Sequence, residues 1–254
     1  MRASVVIALV TCGCGRWGFG GTGGDDVVVD DASMVRDNGA IIDAPGDMAM
    51  AAIDAMPCGG TTHMLTDNFD DNTLDATKWG NAYEDSSSRH VETGGRLEIR
   101  LGANVPDNWA GYVSTTLYDL HDDRVFVEVP VVNALTGDAI LLLWTSFAKT
   151  DGPSIEYERG KLIFRRRVAG TINDLSNVTY NATMHRWWQI REHGGTTYWE
   201  TSPDGVSWTP RQMQTTPGAT TALITIAAGT GNSEPADLVV FDNLNGGGAP
   251  PLCP

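Results

Sequence analysis

Two carboxylates whose spacing could support acid–base chemistry occur at Glu156 and Glu158. Residues two apart in an extended strand project from the same side, so the pair could act as the acid and the base of a glycoside hydrolase. The next two residues, Arg159-Gly160, predict a hairpin whose return strand brings Arg165 and Arg167 along the same face. Neighbouring cations favour the charged form of a carboxylate, whereas a general acid must hold a proton. The sequence therefore favours a solvated salt-bridge ladder and leaves hydrolysis as the alternative.

A second group of residues has the composition of a sugar-binding surface. Aromatic rings can stack on the apolar face of a pyranose while nearby polar groups bind its hydroxyls. Alternation along residues 185–210 predicts such a mixture on the outward face of a hairpin, and a turn-rich stretch supplies one further ring. The candidate ligand-binding residues are Trp187, Gln189, Arg191, Tyr198, Glu200 and Trp109. The alternative is an ordinary amphipathic sheet whose rings pack against a covering loop, with Trp109 closing one end of the fold.

Other chemistries find little support in the sequence. No Gly-x-Ser-x-Gly nucleophile elbow is present, and no glycine-rich loop leads into a helix that could bind phosphates. The five histidines stand singly along the chain, so each is predicted to be a surface or strand-end residue rather than a ligand. A net charge of −15 argues against nucleic-acid partners and against peripheral binding to an anionic membrane.

The hairpins at residues 185–210 determine which side chains share a face. The Gly194-Gly195 pair fits a two-residue turn, because only glycine enters positive φ freely. Counting outward from this turn places Ile190 opposite Trp199, on a face that also carries Trp188. We expect these three side chains to enter the core and the residues between them to point outward.

Short alternating runs from Cys58 onward predict an all-β domain. Residues 96–101 alternate in the pattern of a half-buried strand, and residues 139–144 are almost wholly apolar, which is typical of a strand buried on both sides. Residues 223–228 and 238–241 supply the last two strands. With turn signals every ten residues or so, we expect about 12 to 14 strands, no helix, and one two-sheet antiparallel domain of roughly 190 residues.

The N-terminal residues predict export. Residues 1–14 have a basic start, an apolar run and a lipoprotein-like cleavage box, so we expect lipidation of Cys14 or Cys12 and display at the outer membrane or cell surface. A plain secretory signal is the alternative. Residues 15–57 hold eight Asp and two Arg among Gly and Ala, which is typical of a disordered tether. A calcium-binding repeat is the alternative there, although the spacing of its aspartates is irregular.

The remaining cysteines predict one disulfide. Cys58 opens the domain, which we place at residues 58–254, and Cys253 nearly ends the chain. In an exported protein such a pair would join the two ends of one domain. Two free thiols are the alternative.

Three segments resemble the concanavalin A-like lectin/glucanase superfamily, which includes laminin-G-like modules and family 16 glycoside hydrolases. They are residues 67–79, the hairpins at 185–210, and residues 240–244. The resemblance implies a jelly-roll sandwich, although the Glu-x-Asp-x-x-Glu strand of the hydrolases is missing. The acidic tether behind a lipoprotein-like signal resembles surface proteins of myxobacteria and their relatives.

The same resemblance implies a structural calcium ion where the first and last strands meet. Its ligands would be Asp67, Asp70 or Asp71 facing Asp242, since calcium prefers oxygen ligands. The alternative is that these aspartates only cap turns.

Taken together, these features predict a non-catalytic, surface-displayed jelly-roll domain that binds a glycan or another extracellular ligand. One alternative is a family 16-like glycoside hydrolase using Glu156 and Glu158. Another is a structural or protein-interaction module whose partner is an envelope protein.

Overall fold

The computed structural model describes residues 59–84, 87–132, 137–215, 220–231, 233 and 235–246. The predicted signal, tether, lipidation residues and disulfide pair lie outside these residues. Within them, none of the elements is a helix long and apolar enough to cross a membrane.

The described residues form fifteen strands and a single turn of 3₁₀-helix, Thr62–Met64. The strands are β1 (Trp79–Glu84), β2 (Arg89–Glu92), β3 (Leu97–Leu101), β4 (Asn108–Ser114), β5 (Tyr118–Asp119), β6 (Arg124–Val131), β7 (Asp138–Trp144), β8 (Gly152–Glu158), β9 (Lys161–Val168), β10 (Thr171–Thr179), β11 (Trp187–His193), β12 (Thr196–Ser202), β13 (Thr209–Thr215), β14 (Thr221–Thr230) and β15 (Asp237–Asp242).

Two antiparallel sheets make up a jelly-roll sandwich, which confirms the predicted fold class. The eight-stranded sheet has the order β1-β4-β14-β7-β8-β9-β10, with the short β5 beside β14. The seven-stranded sheet has the order β13-β12-β11-β6-β15-β3-β2. Strands that are neighbours in a sheet are therefore often distant in sequence.

Both predicted hairpin registers are confirmed. The Gly194-Gly195 turn has φ values of +56° and +80°, and Ile190 pairs with Trp199 as expected. The Arg159-Gly160 turn has φ values of +49° and +77°. Two consecutive positive φ values are the mark of a type I′ turn, whose twist matches that of the strands it joins.

The core lies between the sheets and is built from alternate residues of each strand. Trp188, Ile190 and Trp199 are fully buried in it, as predicted. The Trp199 Nε1–H donates to the Ser154 carbonyl oxygen at 3.0 Å, a hydrogen bond that joins the two sheets. Because a buried indole N–H needs an acceptor, this bond helps to fix how the sheets align.

Strand β7 is buried on both faces, as its apolar sequence predicted. Ala139, Leu141 and Leu143 belong to the core between the sheets. The residues that alternate with them belong to a second apolar cluster on the outward side of the eight-stranded sheet. The eight-stranded sheet is thus apolar on its outward side too.

Candidate functional site

The outward side of the eight-stranded sheet combines an apolar floor, aromatic rings and fixed charges. The floor consists of Val113, Ile140, Leu142, Trp144, Leu223 and Ala227. These residues lie on three adjacent strands, β4, β14 and β7, which only the sheet order brings together. We call this surface, with Tyr83, Trp109 and the charged residues described below, the ring face.

Three aromatic side chains define the ring face. Tyr83 and Trp109 have ring centroids 5.9 Å apart at an interplanar angle of 49°. Trp109 lies directly over Gly229 of the adjacent strand, where a Cβ atom would come within 2.1 Å of the indole. Trp144 lies in the floor beneath the Arg167 guanidinium, which is 5.5 Å from its ring centroid. The rings of Tyr83 and Trp109 are the ones that keep access to solvent.

A ladder of charged side chains runs beside the rings, as the hairpin register predicted, but it is largely buried and not solvated as expected. The buried Glu156 carboxylate accepts hydrogen bonds from the Ser154 hydroxyl at 2.7 Å and from Arg167 Nη1 at 2.7 Å, and it pairs with Arg165. Arg165 also donates to Glu158 Oε2 at 2.9 Å. The hydrogen bonds that these two carboxylates accept from Ser154, Arg165 and Arg167 hold them in fixed positions.

The electrostatics of the ring face follow from this pairing. Burial opposes the charged form of Arg165, but the attraction of Glu156 and hydrogen bonds to Asp174, Glu156 and Glu158 outweigh it and raise the pKa of the guanidinium. Burial also raises the pKa of the Tyr83 phenol, which Arg167 partly offsets. The phenol therefore remains a neutral hydroxyl at physiological pH, able to donate a hydrogen bond.

The structure separates the residues that the sequence grouped as one ligand site. Trp109 belongs to the ring face, whereas the other five candidates lie on the outward side of the opposite, seven-stranded sheet. The Trp187 ring is only 8% exposed and packs against Gly205, where a Cβ atom would come within 3.0 Å of the indole. Trp187 is therefore covered by the β12–β13 connection, which was the alternative interpretation of this hairpin.

The other candidates on that sheet bind mainly each other. Gln189 Nε2 donates to Glu200 Oε2 at 2.5 Å, and Arg191 contacts both Glu200 oxygens at 3.1 Å. The Arg191 guanidinium also stacks over the Tyr198 ring at 4.0 Å. Gln189 and Glu200 are almost completely buried. This network supports the sheet, and the half-buried Trp208 is more accessible than Trp187.

The aspartates expected to hold calcium accept hydrogen bonds from nearby residues. Asp67 accepts hydrogen bonds from the Phe69 backbone N–H at 2.9 Å and from Trp79 Nε1 at 2.7 Å. Asp70 and Asp71 make similar contacts within their own turns.

Asp242 lies close enough to Asp70 and Glu128 to be affected by their charges, and burial raises its pKa to about 6. Among the described residues these aspartates do not form a convergent group of three ligands. Their hydrogen bonds are those of the turn-capping alternative, and the calcium site stays a prediction.

Two residues of the ring face were missed by the sequence analysis. Trp144 is the last residue of an apolar run and lies on the same face of β7 as Ile140. Because Ile140 pairs with Glu156, alternation along β7 could have placed Trp144 beside the ladder. Tyr83 gave no such signal, because an irregularity between Asn81 and Tyr83 shifts the register of β1.

Comparison with known proteins supports the fold. No family model matches the chain, and no curated protein matches it. Among solved structures, LamA from Zobellia galactanivorans in complex with laminaritriose and laminaritetraose superposes with a TM-score of 0.52 at 12% identity, covering 71% of this chain and 96% of that one. SCLam, a non-specific endo-β-1,3(4)-glucanase from family GH16, gives 0.52 at 9% identity, covering 71% and 89%.

An uncharacterised protein from Mycobacterium paratuberculosis gives a TM-score of 0.51 at 12% identity, covering 71% of this chain and 99% of that one. At these identities the likeness is one of fold. The described domain therefore shares the two-sheet jelly-roll fold of these structures.

Proposed function

We propose that this protein is a non-catalytic carbohydrate-binding domain whose ligand lies on the ring face. The observation that carries the proposal is the placement of the accessible Tyr83 and Trp109 rings beside a fixed hydrogen-bonding ladder, above an apolar floor. Sugar recognition requires this combination of stacking surface and oriented polar groups. The fold shared with a laminaritriose-bound protein supports the same class of ligand.

The charge of the ladder favours a neutral glycan. Three carboxylates, of Glu156, Glu158 and Asp174, surround two guanidinium groups, of Arg165 and Arg167. The ring face therefore has no excess positive charge with which to attract sulfated or uronic sugars. We expect binding of neutral β-glucans to exceed binding of acidic polysaccharides.

Calorimetric titration with laminaritriose, laminaritetraose and a mixed-linkage β-glucan tests the proposal. Replacing Trp109 by Ala should weaken binding roughly 10- to 150-fold, since burying a large apolar side chain contributes about 1.5 to 3 kcal/mol. The matched control is Trp208→Ala, which removes a half-buried ring from the β12–β13 connection, on the outward side of the opposite sheet, and should leave binding unchanged. Loss of binding in Trp208→Ala alone would move the site to the seven-stranded sheet. No binding of any glycan would favour the interaction-module alternative.

Glycoside hydrolysis by Glu156 and Glu158 is the second candidate, because both carboxylates lie on the ring face. Their pairing argues against it, because Arg165 binds both carboxylates and Arg167 binds Glu156, so the oxygens that a catalytic pair would present to a glycosidic bond are already occupied. An assay for reducing ends released from β-glucan tests whether the protein is a hydrolase. Activity that is lost in both Glu156→Gln and Glu158→Gln would establish the hydrolase.

We further propose that the domain is displayed at the cell surface through a lipid anchor. The support is the cleavage-box-like sequence that ends at Cys14 and the acidic residues 15–57 that follow it. Metabolic labelling with a fatty acid should be lost in Cys14→Ser and retained in Cys12→Ser. Retention of label in Cys14→Ser would assign the anchor to Cys12 or to no cysteine.

A further inference from the structure

Two dipeptides, each with a histidine and a carboxylate, meet beside the first hairpin of the seven-stranded sheet. His121-Asp122 precedes β6, and Glu192-His193 ends β11. Because β6 and β11 are antiparallel neighbours, the beginning of one strand lies next to the end of the other. Residues about seventy positions apart in sequence are therefore brought together: His121, Asp122 and Glu192 form one group of potential ligands, and His193 adjoins it through Asp122.

The Asp122 carboxylate lies between the two imidazoles. Its Oδ2 is 3.3 Å from His121 Nδ1, and its Oδ1 is 3.0 Å from His193 Nδ1. Ligand atoms of His121, Asp122 and Glu192 all lie within 4.8 Å of one another. For comparison, ligand atoms around a tetrahedral zinc ion are about 3.3 Å apart, given metal–ligand distances near 2.0 to 2.1 Å. Small side-chain adjustments would bring this group to that spacing.

The carboxylates are held by the backbone, whereas the imidazoles are accessible. The Asp122 N–H donates to Glu192 Oε2 at 2.7 Å, and the Gly195 N–H donates to Glu192 Oε1 at 2.6 Å. The Gly194 N–H donates to Asp122 Oδ1 at 3.1 Å, and this bond, with the nearby histidines, lowers the pKa of Asp122. Side-chain exposure is 58% for His121 and 47% for His193. A solvated metal ion could thus reach a group whose anionic part is already in position.

The chemistry of these ligand atoms favours zinc over calcium. Imidazole nitrogen together with carboxylate oxygen suits zinc and similar borderline divalent ions, while calcium takes oxygen ligands almost exclusively. We propose that His121, Asp122, Glu192 and His193 form a zinc site that ties the β11–β12 hairpin to the segment before β6.

Zinc titration of the full-length protein by calorimetry at pH 7.5 tests the site, with calcium titrated in parallel. We expect one zinc ion to bind with a Kd in the low micromolar range or below, and calcium to bind at least 100-fold more weakly. His121→Asn and His193→Asn should each weaken zinc binding at least tenfold, by loss of a ligand. The matched control is His63→Asn, which removes an exposed histidine that pairs with Asp123 at the same end of the sheet and should change affinity less than twofold.

Zinc should also raise the melting temperature of the wild-type protein and of His63→Asn, but not that of the double variant His121→Asn/His193→Asn. Zinc binding that survives in the double variant would overturn the proposal, as would equal affinity for calcium. X-ray absorption at the zinc edge on the wild-type protein gives a test that does not depend on any variant folding. A first coordination shell containing two imidazoles supports the site, and a shell without imidazole refutes it.

Discussion

Replacing Glu156 by Gln should destabilise the protein substantially. Glu156 is 4% exposed and accepts hydrogen bonds from Ser154, Arg165 and Arg167, whose guanidinium groups are themselves largely buried. A charge-assisted hydrogen bond contributes about 1.5 to 3 kcal/mol, and breaking a buried ion pair by removing one partner costs about 3 to 5 kcal/mol. Gln retains one acceptor oxygen, and Arg165 keeps its other carboxylate partners. We therefore expect a loss of about 3 kcal/mol in the free energy of unfolding.

Urea denaturation and thermal melting measure this loss, which corresponds to a fall of about 6 to 12 °C in melting temperature for a domain of this size. The matched control is Glu158→Gln, whose side chain is 33% exposed and pairs with Arg165. It should cost less than about 1 kcal/mol, because solvent screens such pairs. A Glu156→Gln protein as stable as wild type, or more stable, would refute the reasoning. That result is what removal of a strained catalytic acid produces.

Three further changes test the pH dependence, the ring face and the core. Burial raises the pKa of Asp242 to about 6 from an ordinary 3.8. The folded state thus holds a proton that the unfolded chain has released, so this contribution to stability is complete below the ordinary pKa and is lost as the pH rises through about 6. Asp242→Asn should unfold in urea with less pH dependence over this range, and should be about 1 to 2 kcal/mol more stable at pH 7. Gly229→Ala places a Cβ atom 2.1 Å from the Trp109 ring, so it should shift the indole fluorescence, weaken glycan binding and cost about 1 to 3 kcal/mol in urea denaturation. Trp188→Phe removes a buried N–H that donates to the His185 carbonyl at 2.9 Å, and should cost about 2 to 4 kcal/mol by the same assay.

Each of these changes has a control on the chain. Gly231→Ala meets open space and should leave fluorescence and stability nearly unchanged, so an equal effect there would remove the argument for Gly229. Trp208→Phe alters a half-exposed ring and should cost less than half as much as Trp188→Phe. An Asp242→Asn protein with the full wild-type pH dependence would show that another group is responsible.

The hairpins show what could be predicted from sequence. The turns at Gly194-Gly195 and Arg159-Gly160 fix the register of the strands they join, and alternation then assigns each residue to one of two faces. These inferences involve neighbouring strands and a few residues, so the structure confirms them. They correctly predicted that Trp188 lies in the core and that arginines lie beside Glu156.

The grouping of candidate residues into sites could not be predicted in this way. Trp109 was grouped with Trp187, yet the two lie on different sheets, and Trp109 instead shares a face with Glu156. The histidines at 121 and 193 were interpreted as isolated, yet one carboxylate lies between them. Both outcomes depend on which strands are neighbours, and those neighbours are far apart in sequence.

By itself, the sequence determined the all-β class, the hairpin registers and the inward or outward direction of most side chains, because turn chemistry and period-two alternation act over a few residues. The tertiary structure decided the order of strands in each sheet and therefore the ring face and the histidine cluster. Strand order results from burying apolar surface across the whole domain, and alternation says only that a strand has a buried side, not which strand will lie beside it. The β1 irregularity that turns Tyr83 toward Trp109 is decided by packing in the same way.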